Sequence, residues 1–210
     1  MEYPKSIKRV GRPRLTETAG QLTTRERILV VAKGLFIQRG YAAVSINEIT
    51  ERVSITKPTL YHYFGDKENL YGSVLKSMLE QGHRSLNKVM GKSQDYAEQL
   101  EGLAKAYLSQ NASCSVAHIF KDVYTHLGAE QVDELRRLWE NGLFAQLQAF
   151  VSEGLHHELI QLNGTAEELT WVLLSLVDTI NIQSDYWGVD DAHYQANQLM
   201  RYLIMEEEEE

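Results

Sequence analysis

Residues 54–71 read SITKPTLYHYFGDKENLY. The stretch sets Tyr61, Tyr63, Phe64 and Tyr71 around His62, adds Lys57 and Lys67, and is broken by Pro58 and Gly65. A core segment would keep the rings and exclude the lysines, and a solvated loop would do the reverse. The mixture predicts a short helix with one face in a core and the other against something negatively charged. Thr56 can cap that helix, and Pro58 sits in its first turn, where no N–H partner is lost. Leu60, Tyr63 and Phe64 are expected on its inner face. Gly65 ends it, and Asp66 caps the helix that follows.

Upstream, Ser45 and Glu48 stand at capping-box spacing, and Ile46, Ile49 and Val53 share a face. A short helix is therefore expected before a turn at Ser54–Ile55. Thr23 and Glu26 repeat that spacing ahead of Ile28, Val31, Ala32, Leu35 and Phe36, one helical stripe, and Gly40 falls where a left-handed residue would end it. Downstream, a long helix from 66 to about 90 carries Leu70, Val74, Leu75, Met78 and Leu79. Five more helices are expected at roughly 95–110, 113–127, 129–160, 165–186 and 190–205. No proline follows Pro58, and no strand-like alternation of useful length is present. The expected fold is all-α with about nine helices.

The net charge of −8 looks wrong for a polyanion's partner. The distribution alters that reading: residues 1–65 hold 11 Lys/Arg and 5 Asp/Glu of totals of 21 and 29, so they carry +6 and the remainder −14. A basic module on an acidic body is the pattern of a nucleic-acid binder. A short helix, a tight turn and a second short helix over about 45–64 describe a helix-turn-helix. Lys57, Thr59, Tyr61 and His62 would then face a DNA major groove. Lys67 would meet a phosphate together with the N-terminal amides of its helix. The rival from another class is a helical ligand-binding or enzymatic protein whose N-terminal helices only pack. A sequence-specific shift with duplex DNA separates the two.

The stretch GYAAVSINEITERVSITKPTLYHYFGDKENLY (40–71) strongly resembles the DNA-binding domain of the TetR family of bacterial regulators. The matching features are the Gly-Tyr after the first helix, the Ser-capped second helix, and TLYHYFGDKENL from recognition helix to fourth helix. The resemblance covers about residues 22–82. Where many members have Gly-Val-Ser in the turn, this chain has Ser54-Ile55-Thr56, so Ser54 must adopt a backbone usually given to glycine; Pro58 replaces a frequent glycine. The resemblance implies a homodimeric transcriptional regulator, usually a repressor, acting in the bacterial cytoplasm. Its recognition helices enter adjacent grooves of a palindromic double-stranded DNA, and a small molecule in the C-terminal domain breaks that spacing. The residues expected at DNA are Ser45, Thr56, Lys57, Pro58, Thr59, Tyr61, His62 and Lys67. The expected division is a basic arm at 1–21, the DNA-binding domain at 22–82, a ligand-binding and dimerisation domain at 83–205, and an acidic tail at 206–210.

The arm contains GRPR (11–14), similar to the core of segments that lie in A·T-rich minor grooves, where Arg12 and Arg14 would find strong negative potential. The alternative for the same residues is a solubilising tail. The run 169–182 is apolar almost all round, so its helix must be buried on most sides. With the last helix it is expected to form a dimeric four-helix bundle through Val172, Leu173, Leu176, Val177, Ile180, Leu199 and Leu203. The ligand is expected between the fourth helix and the aromatic-bearing helices at 95–150, near Met78, His118, Phe120, Tyr124, Trp139 and Phe144.

Other chemistry lacks a motif. His156 and His157 are neighbours, about 100° apart on a helix, and His118 and His126 are two turns apart, so no metal is expected. The one cysteine, Cys114, cannot form an intrachain disulfide, which suits a reducing cytosol. No catalytic arrangement or cofactor motif is present, so neither an enzyme nor a cofactor is expected. The first 15 residues lack a signal peptide's apolar region, and Leu169–Ile182 is too short and polar to span a bilayer; no membrane partner is expected.

Overall fold

The computed structural model describes residues 22–93, 95–110, 116–160 and 162–187, with positions 194, 195 and 198. The arm with Arg12 and Arg14, Cys114, most of the helix expected at 190–205 with Leu199 and Leu203, and the acidic tail lie outside the described residues. The described chain is helical throughout: α1 (Thr24–Ala43), α2 (Ile46–Val53), α3 (Lys57–Phe64), α4 (Lys67–Met90), α5 (Tyr96–Gln110), α6 (Val116–His126), α7 (Ala129–Leu138), α8 (Ala145–His156) and α9 (Ala166–Trp187).

The starts of these helices follow from their side chains. Thr23 and Glu26 close a full capping box, and Thr165 and Glu168 form the same pair of contacts at the head of α9. These backbone and hydroxyl donors hold both carboxyls below the usual range. The box expected at Ser45 is only half formed. Ser45 accepts the Glu48 N–H at 3.1 Å, but the Glu48 carboxylate turns to Arg39 at 2.7 Å and Arg52 at 3.1 Å. Two cations outcompete one backbone N–H for that oxygen. Gly40 has φ +73° and ψ 169°, positive in φ but not left-handed helical; one further turn, 41–43, follows the kink.

The single helix expected over 129–160 is interrupted. Trp139–Phe144 forms a π-helical turn between α7 and α8, and α8 ends at His156. In a continuous α-helix residues five apart point about 140° from each other. The wider i→i+5 turn brings Trp139 and Phe144 to one side, with ring centroids 5.9 Å apart.

Among the described residues three apolar clusters hold the helices together. The first joins α1–α4, with Ile28, Ile49, Leu60 and Leu70 fully buried, and also takes in Val123 of α6 and Leu135 of α7. The expected domain boundary at 82/83 falls inside α4, a continuous rod that reaches all three clusters through Leu70, Leu86 and Met90. The second cluster packs α5 and α8 on α9, and the third surrounds Trp139.

Leu173, Val177 and Ile180 are buried against Leu100, Ala104, Phe150 and Val151 of the same chain. They are core residues, which corrects the expectation that they form a dimer surface. Of that expected set, Val172 is exposed and Leu176 half-buried, beside exposed Trp171.

Gly154 shows how closely α8 approaches α5. Tyr96 stacks on Phe150 at 4.3 Å and donates its hydroxyl to the Phe150 carbonyl at 3.2 Å. A Cβ at Gly154 would overlap the Tyr96 phenol oxygen and stand 2.9 Å from Ile160 Cδ1. Burial also pushes the Tyr96 hydroxyl pKa well up. Gly154→Ala is expected to lower the unfolding free energy by about 1–3 kcal/mol, read as a shifted urea midpoint.

Candidate nucleic-acid interface and internal cavity

The α2–turn–α3 unit has the expected geometry. Ser54 takes φ 60° and ψ 49°, the left-handed conformation that its position in the turn demands. Thr56 caps α3 by accepting the Thr59 N–H at 3.4 Å, with Pro58 in the first turn. Arg27 of α1 donates to the Val53 carbonyl at 2.6 Å and so satisfies the end of α2. α3 is thereby capped at its start and follows a tethered α2, with Leu60 and Phe64 buried.

Its outer surface presents Lys57, Pro58, Tyr61 and His62, all exposed, with Thr56 and Ser45 exposed nearby and Thr59 half-buried. Tyr63 does not pack inward as expected. It is 42% exposed, with its ring edge-on to His62 at 5.7 Å. The buried stripe of α3 runs through Leu60 and Phe64, and Tyr63 lies beyond its edge. It joins the polar face as a residue that sequence reasoning placed wrongly.

Lys67 is half-buried at the start of α4, its ammonium 4.1 Å from the centroid of the Tyr41 ring. Burial pushes its pKa down while Asp122 pulls it up. Arg25, which sequence reasoning did not single out, lies over the Phe64 ring at 5.2 Å and adds an exposed cation beside α3.

Asp122 of α6 is the other residue missed. Its carboxylate accepts the Tyr41 N–H at 2.8 Å and stands 3.5 Å from the Tyr71 hydroxyl. His126, one turn on, stacks on Tyr41 at 4.5 Å and lies 4.0 Å from Asp122. One carboxylate thus ties α6 to the end of α1 and to α4. No local spacing in the sequence announces a contact between residues 81 positions apart.

Behind α4 lies a cavity of about 180 Å³ lined from α1, α4, α5, α6, α7, the π-helical turn, α8 and α9. Of the residues expected near a ligand, Met78, Phe120, Tyr124 and Trp139 line it. His118 and Phe144 do not. The His118 imidazole faces α1 instead, its Nε2 3.3 Å from where a Cβ on Gly40 would lie. Phe144 packs behind the wall, against Trp171 at 4.8 Å. Among the described residues no cluster of His, Cys, Asp and Glu is placed to hold a metal ion, and no helix is long and apolar enough to cross a membrane.

The sequence profile described as bacterial regulatory proteins, tetR family, matches residues 28–74, the span from α1 into α4 that contains this unit. The chain belongs to that family. It is a ligand-responsive DNA-binding regulator. It is 28% identical over 151 residues to the HTH-type transcriptional repressor KstR2 of Rhodococcus jostii, covering 68% of this chain and 72% of that protein. The fold matches the reduced form of NemR from Escherichia coli with a TM-score of 0.70, 20% identity, and coverage of 87% of this chain and 98% of that one. A TetR transcriptional regulator from Legionella pneumophila matches with a TM-score of 0.74, 18% identity, and coverage of 89% and 100%.

Proposed function

We propose that two copies of this chain bind a palindromic operator in the cytoplasm through α3 and release it when a small molecule fills the cavity behind α4. The supporting observation is the two-sided α3. Leu60 and Phe64 are locked in the core, while Lys57, Tyr61 and His62 stand free of it on one surface. Repression is the proposed sign, since KstR2 and NemR are both designated repressors. The DNA set is Ser45, Thr56, Lys57, Pro58, Thr59, Tyr61 and His62, extended by Tyr63 and Arg25. Lys67 contributes through the head of α4.

Selection from random duplexes is the test. It is expected to enrich a palindrome whose half-sites lie about one helical turn, or a multiple of it, apart. Log affinity should fall against log salt by about 0.9 for each phosphate neutralised. Equal affinity for selected and random duplexes would refute the reading.

The cavity and the DNA-binding unit share two elements. α4 runs from Lys67 to cavity residues Met78 and Leu86. α6 gives Phe120, Val123 and Tyr124 to the cavity and Asp122 to the Tyr41 amide. A ligand that moves α6 therefore pulls on the segment that carries Tyr41, and with it on Lys67. Moving a 1:99 population to 99:1 takes about 5.5 kcal/mol of differential affinity, and operator must weaken ligand binding by the same factor that ligand weakens operator binding. Asp122→Ala leaves the Tyr41 N–H without its acceptor. It is expected to lower stability by about 1–3 kcal/mol in urea titration and to shrink the effect of ligand on DNA affinity.

A further inference from the structure

The chemistry of the cavity wall narrows the ligand. Its volume is about 180 Å³. A dry apolar protein cavity of about 150 Å³ is filled by one benzene molecule. The space here therefore holds one or two rings. Aromatic surfaces meet in the wall, where Phe120 stands edge-on to Trp139 at 5.7 Å and 89°. Such a corner packs a flat ring better than a flexible chain.

Charge decides the head group. Among the described lining residues the charged ones are Lys33 and Arg136, and none is an Asp or Glu. A cationic ligand would be desolvated without a counter-ion, which apolar surroundings penalise heavily. An anion meets two cations. Arg136 already donates to Asp133 and feels Glu140 nearby, but its side chain is 53% exposed. An exposed pair contributes little, and a guanidinium has five donors, so a carboxylate can share or replace Asp133. Tyr124, exposed and near Arg136, marks the same edge of the cavity.

We propose that the cavity takes a compact one- or two-ring aromatic carboxylate, with its rings among Met78, Phe120 and Trp139 and its acid group at Arg136. The regulatory role of that ligand rests on the regulator reading above; its binding does not. Calorimetric titration of the full chain, without DNA, compares 1-naphthoate, 1-naphthylmethylammonium and oleate. 1-Naphthoate is expected to bind at least tenfold tighter than the ammonium compound, and Arg136→Gln to remove most of that ratio. Leu103→Trp, which fills the cavity, is expected to abolish binding of 1-naphthoate while a thermal melt shows the chain still folded. Three results overturn the proposal: equal or tighter binding of the ammonium compound, a ratio unchanged by Arg136→Gln, or oleate binding more tightly than 1-naphthoate. Gel retardation then separates the two readings. A chain that takes 1-naphthoate but shifts no selected duplex supports the cavity assignment and overturns the regulator reading. One that shifts DNA yet prefers the ammonium compound does the reverse.

Discussion

Val177→Glu is expected to leave no folded chain, whereas Val172→Glu, five residues earlier on the same helix, is expected to give folded monomers. Both lie on α9, and their surroundings decide the difference. Val177 is 5% exposed, packed with Leu173 and Ile180 on α5 and α8. A carboxylate there is either desolvated without a partner or forced to protonate, at a cost of several kcal/mol, set against a total stability of about 5–15 kcal/mol. Val172 is 40% exposed, so a carboxylate at that site costs the monomer little. Val172, half-buried Leu176 and exposed Trp171 form the outer apolar edge of α9. If a second copy covers that edge, as an obligate interface of about 2,000 Å² or more requires, the new charge is buried in the dimer alone. Circular dichroism reports folding and sedimentation reports mass. A folded Val172→Glu dimer would show that the α9 edge is not the interface. A stable, folded Val177→Glu chain would show that α9 packs the other way round.

The same helix shows where sequence reading stops. An apolar run such as Leu169–Ile182 announces burial but has no polar side to orient it, so core face and outer face could not be told apart. Thr23/Glu26 and Thr165/Glu168 were legible because each cap is completed within four residues. Ser45/Glu48 looked identical and was not, because Arg39 and Arg52 take the Glu48 carboxylate. On α3, Leu60, Tyr63 and Phe64 all fit one helical stripe, and only the position of the neighbouring helices excludes Tyr63 from it. The helix-turn-helix was readable from turn chemistry, since Ser54, Thr56, Pro58 and Gly65 each act on their own backbone. The cavity was readable only in part. Met78, Phe120, Tyr124 and Trp139 were placed by their size and position, but His118 turns to Gly40 and Phe144 is redirected by the π-helical turn. Asp122, whose partners come from α1 and α4, carries no local signal at all.

The combined change Lys57→Ala, Tyr61→Ala and His62→Ala is expected to reduce binding of the selected operator to the level of random DNA without unfolding the chain. The three side chains are exposed, and the residues that seat α3 are Leu60 and Phe64, so the helix itself survives. Each base-directed contact contributes about 1–3 kcal/mol of discrimination. Loss of three, about 3–9 kcal/mol, is comparable with the roughly 4–10 kcal/mol that separates specific from non-specific binding. Phosphate contacts behave differently. Arg25, beside Phe64, is expected to weaken all duplexes alike when changed to Ala and to reduce the salt slope by about 1. Fluorescence anisotropy against the selected operator and a scrambled duplex, at several salt concentrations, measures both effects. The triple variant should lose its preference and keep its salt slope within about one phosphate per site. Retention of the full specificity ratio would mean that α3 is not the reading element, and the DNA-facing assignment of Lys57, Tyr61 and His62 would have to be abandoned.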